Sequence, residues 1–331
     1  MVNSLVSLSV ALGGVVLSAL FFRFRLRQGR SERPWLTVIL TYLAALICGV
    51  VLSKLTYALC QFRRTFMISG FGALFDGRIE SFSFVGFAAG TMLGARVFLN
   101  LVEHTSLGSV PTVNLFAPCW ALMLAVVRFS ERWQGVYGVG DLIENTSLQV
   151  FPIAQKIAGE GYTEWYLAVY VFECAWALLC ALVCLIAQKV KKETYKTGFS
   201  AERVAFYLCL MQILFQSLNA SDMNKWLFVR VEQLLSGLLV LFFIIRYAWM
   251  TRTFLKQKVS FQSMLPTLVT IFAILLVVLA EFMLDKPYYF FDIPAFGAYI
   301  VMGVALLIMA VMEIVSARRR FAAQKQRHLY V

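Results

Sequence analysis

Histidine is nearly absent from this chain: two occur in 331 residues, His104 and His328. The seven cysteines (Cys48, Cys60, Cys119, Cys174, Cys180, Cys184 and Cys209) include no CxxC pair. Together these shortages exclude a zinc constellation, because too few nitrogen and sulfur ligands exist at usable spacing. No metal and no cofactor is expected, and the cysteines read as small apolar packing residues. Charge is also scarce, at 15% of residues. No basic domain stands apart from the loops, so a nucleic-acid partner is not expected. Low-complexity linkers, a soluble domain and a clear repeat are lacking as well. What fills the space is apolar: 60% of residues are hydrophobic and the mean hydropathy is +0.76, far above a soluble domain of this size. The fold class this predicts is all-α, a polytopic transmembrane helical bundle.

Stretches long enough to cross a hydrocarbon core fall at 4–22, 35–57, 83–102, 110–127, 166–187, 204–219, 233–250, 264–284 and 296–315, which predicts about nine helices. Two of them stand out. The stretch 110–127 carries Pro111 and Pro118, and 204–219 is short and ends in Gln212, Gln216 and Asn219. Each is expected to be either partly re-entrant or shielded by protein. The first apolar run has its basic cluster after it (Arg23, Arg25, Arg27, Arg30) with no small-residue cleavage site, so it is expected to be a retained helix and not a cleaved signal peptide.

Lys and Arg orient the bundle. The loops 23–34, 189–203, 246–258 and 318–327 hold 19 of the 30 basic residues and fall on one side if nine helices alternate. The expectation is an N-terminus outside and a C-terminus in the cytoplasm. The net charge of +12 then follows from topology and from attraction to anionic headgroups. The longest segments outside the bilayer are 58–82 and 128–165, both on the exterior side. The second gathers Glu131, Asp141, Glu144, Gln155, Lys156, Glu160 and Glu164 among Trp133, Tyr137, Tyr162 and Trp165. A loop of that length carries function more often than a short one.

The third helix places Gly86, Gly90 and Gly94 at strict four-residue spacing, which stacks them on one face for close approach of a neighbouring backbone. A lipid chain along the same groove is the other reading. Arg96, inside that span, should snorkel or find an acid or carbonyl.

Three cations are expected near one membrane face: Lys54, with Tyr57 one turn on, Arg128 at the end of helix four, and Arg230 before helix seven. Converging, they would make a phosphate site, since guanidinium and ammonium groups bind anionic headgroups. The competing reading is snorkelling, each side chain reaching its nearest water. Glu173 lies inside helix five and Glu281 near the end of helix eight. Intramembrane carboxylates pair or function: Glu173 either neutralises one of these cations or takes part in proton transfer.

At these residues the chain resembles the prolipoprotein diacylglyceryl transferase family. Ser53-Lys54-Leu55-Thr56-Tyr57-Ala58-Leu59 is similar to that family's Gly-Arg-Ile-Gly-Tyr-x-Leu, with Lys replacing Arg. Ser83-Phe84-Val85-Gly86 resembles its Ser-Phe-His-Gly segment. Phe116-Ala117-Pro118, followed ten residues later by Arg128, has the spacing that leads into the family's Arg-x-Gly-Asn-x-x-Asn-Gly-Glu, which here reads Arg128-Phe129-Ser130-Glu131-Arg132-Trp133-Gln134-Gly135-Val136. Gln216-Ser217-Leu218-Asn219 stands where the family has Glu-x-x-Arg. Gln233-Leu234-Leu235-Ser236 resembles its Gly-Gln-x-Leu-Ser, and Phe172-Glu173 its Tyr-Glu.

The resemblance implies a seven-helix transferase-like domain over 1–259, with its exterior loop at 128–165, and two added helices with a basic tail over 260–331. It implies transfer of a diacylglyceryl group from phosphatidylglycerol to the cysteine thiol of a prolipoprotein signal peptide, at the bacterial cytoplasmic membrane. That reaction needs cations for the departing glycerol phosphate and a base for the thiol. Arg128 and Glu131 become the catalytic candidates. Lys54, Tyr57, Gln134, Gly135, Glu173, Arg230 and Gln233 become substrate-binding candidates, with Gly135 allowing the backbone close to the headgroup. The chain departs from the family at Val85, where a histidine stands, and at Asn219, where an arginine stands. Glu131 and Gln134 replace asparagines, and Val136 a glutamate. Glu131 is therefore either a base or a salt-bridge partner that quenches Arg128. The alternative to a transferase is a catalytically degenerate paralogue that binds lipid or a partner.

Overall fold

The apolar runs do become helices, and most outrun the hydrocarbon width because their flanking polar residues stay helical beyond it. A computed structural model describes residues 2–28, 34–60, 70, 72, 82–106, 112–134, 138–158, 163–190, 199–220, 225–226, 229–255, 261–285 and 295–329. Among these, nine helices follow in order: α1 Val2–Gln28, α2 Pro34–Cys60, α3 Phe84–Ser106, α4 Thr112–Phe129, α5 Val169–Val190, α6 Phe199–Leu218, α7 Val231–Leu255, α8 Phe261–Asp285 and α9 Ala295–Leu329. All but α6 are long and apolar enough to cross a membrane. The polytopic helical bundle expected from the sequence is what forms. α6 has 20 residues, about 30 Å of helix. Its Glu202, Gln212 and Gln216 are buried, so its polar side chains are enclosed.

Two small antiparallel ribbons add to the helices: β1 Ala154–Ala158 with β2 Thr163–Leu167, and β3 Lys225–Trp226 with β4 Val229–Arg230. The first corrects the expected start of helix five. Residues 163–167 pair with β1 through Ala154 opposite Leu167, so the helix begins at Val169 and not at 166.

The chain forms two compact units, Met1–Leu208 with Leu218–Asn224, and Cys209–Ser217 with Lys225–Val331. Helix α7 thus groups with α8 and α9, and the division falls at α6, whereas the resemblance implied one after 259.

Within the first unit, α4 is the enclosed helix: 72% of its span is buried, against 22 to 39% for the other seven spans. It is continuous through Pro118, so the 110–127 stretch is protein-shielded and not re-entrant. A proline inside a helix leaves the carbonyl four residues back without its donor. Here that carbonyl belongs to Asn114, and the Gln188 amide on α5 donates to it at 2.6 Å. Arg25 of α1 donates to the same Gln188 side chain at 2.6 Å, and the Asn114 side chain accepts from the Ala201 N–H of α6 at 3.3 Å. Further along α4, Ser18 of α1 donates to the Cys119 carbonyl at 2.6 Å and also meets the Tyr42 hydroxyl of α2. Trp120 donates to Thr91 of α3 at 2.9 Å. Around this axis Phe116 packs edge to face with Phe22 and Tyr42, which are tilted against each other.

The glycine stripe of α3 serves packing. A Cβ on Gly86 would stand 2.8 Å from the Leu52 carbonyl, one on Gly90 2.8 Å from the Gly49 Cα, and one on Gly94 2.8 Å from the Cys48 Cβ. All these neighbours lie on α2, which fills the groove otherwise open to a lipid chain. Arg96 is exposed on the same helix, with no acidic partner among the described residues, as snorkelling requires.

In the second unit α8 contains Pro266, and the carbonyl it releases, that of Gln262, accepts from the Arg319 guanidinium of α9 at 2.8 Å. The same rule that fixes α4 to α5 fixes α8 to α9.

Two outcomes follow for stability. Gly90→Leu should lower the thermal midpoint of the detergent-purified protein, by about 1–3 kcal/mol in free energy, while Gly13→Ala, with no atom within 4 Å of the added carbon, should leave it unchanged. Gln188→Ala should cost about 1–3 kcal/mol by stranding the Asn114 carbonyl. Adding Pro118→Ala, which restores the intrahelical donor, should recover part of that loss in a double-mutant cycle.

Candidate functional site around Arg128

The C-terminal end of α4 turns tightly. After Phe129 the chain makes one 3-10 turn over Ser130–Trp133, closed by the Ser130 hydroxyl donating to the Val127 carbonyl at 2.7 Å and by the Gln134 N–H donating to the Glu131 carbonyl at 2.8 Å. This turn brings Glu131 back onto Arg128, three residues earlier. The Phe129 ring stands against Trp133 and Tyr170, and Tyr170, fully buried in the first turn of α5, places Glu173 one turn further along that helix.

Arg128 is only 7% exposed and Glu173 6%. The Arg128 Nη1 donates to Glu131 Oε1 at 2.6 Å, and its Nε lies 2.9 Å from Glu173 Oε2. The guanidinium carbon sits 3.5 Å from the centroid of the Phe84 ring. Two carboxylates and an aromatic face therefore enclose one cation, and the three ionised groups together carry one net negative charge. The expectation that Glu173 pairs with a cation holds in the structure, and Glu131 is bound to Arg128 in the way the quenching alternative required.

Lys54 reaches the same segment from α2. Its ammonium lies 4.2 Å from the Phe82 ring centroid, two residues from the ring that meets Arg128. Between them, Ser83 caps α3 by accepting the Gly86 N–H at 3.1 Å, and the Ser53 hydroxyl donates to the Ser83 carbonyl at 2.6 Å. Residues 82–84 thus bring the Lys54 and Arg128 side chains to adjacent positions at the head of α3. Tyr57 is half-buried one turn beyond Lys54. Val85, at the position of the family's histidine, is buried and offers no proton.

The loop after the 3-10 turn closes the site. Gln134 donates to Ser7 of α1 at 2.7 Å, which fastens it to a neighbouring helix. Gly135 lies outside the described residues. The glycine that approaches the site is Gly138, with φ of 75°; a Cβ there would meet the Glu131 carboxylate, so the left-handed turn and the contact both call for glycine. The other Glu131 oxygen, Oε2, is buried without a hydrogen-bond partner among the described residues. Asn219, where the family has arginine, bridges to Gly140, and Ala220 N–H donates to the Val139 carbonyl at 3.1 Å. Phe84, Phe82 and Gly138 were not legible as site residues. Gly138-Val139-Gly140 was the available signal, a pair of glycines in a loop otherwise rich in acids and aromatics.

Arg230 and Gln233 belong to the second unit and have structural partners there. Arg230 ends β4 and donates to the Gln216 carbonyl in the last turn of α6, capping a helix C-terminus with a cation, where the macrodipole favours it. Gln233 donates to the Ile213 carbonyl at 3.1 Å and to Glu281 at 2.7 Å. Gln216 donates to Glu232 at 3.2 Å. Among the described residues no cluster of three or more His, Cys, Asp or Glu could hold a metal ion.

Arg128 keeps one carboxylate when either glutamate is neutralised, so each change removes a charge-assisted contact and leaves no excess charge. Glu173→Gln, at the more buried carboxylate, should destabilise the purified protein by about 2–3 kcal/mol. Glu131→Gln, whose side chain is 15% exposed, should cost less, about 1–2 kcal/mol. Chemical denaturation followed by tryptophan fluorescence checks the order.

No family model, curated protein or solved structure matches the chain.

Proposed function

We propose that the chain is a multi-pass protein of a bacterial cytoplasmic membrane, built on the plan of the diacylglyceryl transferases, that binds lipid without transferring it. The observation that carries this reading is the enclosure of Arg128 by Glu131 and Glu173. Each of these carboxylates opposes a phosphate brought to the guanidinium, by about 3 kcal/mol at a separation of about 6 Å and an effective dielectric of about 20. Transfer needs a cation that receives the departing glycerol phosphate, and here the cation is already neutralised. Val85 removes the proton carrier from the head of α3. Lys54, half-buried over Phe82, is the cation through which an anionic headgroup would be held. The basic loops orient the N-terminus outside, which puts this end of the first unit at the outer leaflet.

One observation favours a second reading, transfer itself: Glu131 Oε2 has no hydrogen-bond partner among the described residues. That oxygen would accept the thiol proton of a prolipoprotein cysteine. The sulfur would then attack the glycerol carbon of phosphatidylglycerol and expel glycerol phosphate towards Arg128.

The two readings separate in one experiment. Purified protein is given labelled phosphatidylglycerol and a peptide carrying a lipobox cysteine, beside Arg128→Ala, Glu131→Gln and Lys54→Ala. We expect retained phosphatidylglycerol, no labelled peptide, and binding several-fold weaker in Lys54→Ala. Labelled peptide that vanishes in Arg128→Ala and Glu131→Gln would replace this reading with the transferase.

A further inference from the structure

Among the described residues, the exposed large apolar side chains outside the helices all lie between Gly140 and Ile153. Leu142 is 47% exposed, Leu148 42%, Val150 51% and Phe151 45%. Nothing about the backbone there is loose. Gly140 N–H donates to the Leu167 carbonyl at 2.7 Å, Ile143 N–H to Trp165 at 2.8 Å, and Leu167 N–H back to Asp141 at 3.0 Å. The segment therefore lies as a further pairing partner along β2. The Asn145 side chain accepts from Ser147 N–H at 3.0 Å, and the far end is closed by Ala168 N–H donating to Ile153 at 2.9 Å. A chain fixed at both ends by its own hydrogen bonds holds these four side chains exposed.

Their surroundings indicate what covers them. The segment lies between α4 and α5, two helices long and apolar enough to cross a bilayer, and its partner strand β2 ends at Leu167, just before α5 begins at Val169, so the display stands beside the end of that helix. The first turns of α5 continue the apolar exposure with Phe172, Leu178 and Leu179. Beside the display stands an exposed cation: the Arg132 guanidinium carbon is 4.6 Å from the Phe151 ring centroid and 5.8 Å from that of Trp133. An arginine flanked by aromatic rings, next to protruding aliphatic side chains, matches the layered chemistry of a headgroup region. Apolar tips enter the acyl boundary, rings sit at the interface and the cation meets phosphate.

We infer that the loop 141–153 is a membrane-surface anchor, seating Leu142, Leu148, Val150 and Phe151 in the adjacent leaflet with Arg132 on an anionic lipid phosphate. The anchor holds the β1–β2 ribbon against the bilayer beside the Arg128 site, and it does so whether or not that site performs transfer.

The test is photochemical. A benzophenone amino acid replaces Phe151, Val150 or Glu144, one at a time, in the full chain reconstituted into vesicles of equal parts phosphatidylcholine and phosphatidylglycerol. All three positions are exposed, and each variant is first checked for monodispersity. Irradiation should give adducts heavier by one phospholipid at 151 and 150, several-fold more than at 144. With Arg132→Ala added, the phosphatidylglycerol share of the adducts at 151 should fall at least twofold. Lipid adducts at 151 and 150 no more abundant than at 144, or adducts to a second copy of the chain in their place, would overturn the anchor. An unchanged phosphatidylglycerol share would overturn the role of Arg132.

Discussion

A guanidinium withdrawn from water at the end of the most enclosed helix has to be neutralised by protein. Arg128 ends α4, and α4 is surrounded by its neighbours over most of its length. No snorkelling path exists comparable to that of Arg96, whose side chain is exposed. The charge is met from two directions, by Glu131 on the turn that follows and by Glu173 on α5, with the Phe84 ring of α3 beneath it. Three elements are thereby registered against one cation. The order of α3, α4 and α5 at this end depends on that arrangement, because a misplaced partner would leave a charge buried and unpaired, which costs several kcal/mol.

The same accounting explains the other end of α4 and the α8–α9 pair. Pro118 and Pro266 each cost a helix one hydrogen bond, and each lost bond becomes a contact between helices: Gln188 to Asn114, Arg319 to Gln262. Inside the bundle the freed Asn114 carbonyl is shut away from water, so a donor on a neighbouring helix is the available remedy; the Gln262–Arg319 bond ties α8 to α9 at an exposed position. A defect in one element thus specifies its neighbour. The glycine stripe of α3 works by the opposite means, removing side chains so that the backbone of α2 enters directly.

The helices were legible because a run of about twenty apolar residues admits few alternatives. The glycine spacing declared its packing face for the same reason, a fixed helical period. Boundaries set by long-range pairing were not legible: Thr163–Leu167 is as apolar and aromatic as a helix start and became a strand because β1 pairs with it. Arg230 illustrates a second blindness. As a cation before a helix it reads as a headgroup ligand, and the structure adds a bond to the carbonyl of Gln216, because helix C-termini do not reveal in sequence which side chain will cap them. At Arg128 the sequence named side chains that meet in the structure and left two roles open for Glu131 and Glu173. Only their distances distinguish pairing from proton transfer. Gly138 was missed because its constraint comes from the Glu131 carboxylate above it, a contact between residues seven apart in a loop without period.

Electrostatics at Arg128 also bears on how a site of this plan loses or keeps chemistry. Where the family resemblance implies asparagine, a neutral amide would leave the guanidinium with charge to offer an incoming phosphate. Glu131 at that position weakens the offer, because a carboxylate 2.6 Å away takes the Nη1 donor and sets a negative charge beside the guanidinium. Glu173 alone would leave the pair neutral; the second carboxylate makes the cluster anionic. A carboxylate in place of an amide thus turns a cation with charge to offer into an internal ion pair. The Glu131 Oε2 that faces Gly138 has no hydrogen-bond partner among the described residues, so the ion pair with Arg128 leaves one carboxylate oxygen able to accept a proton.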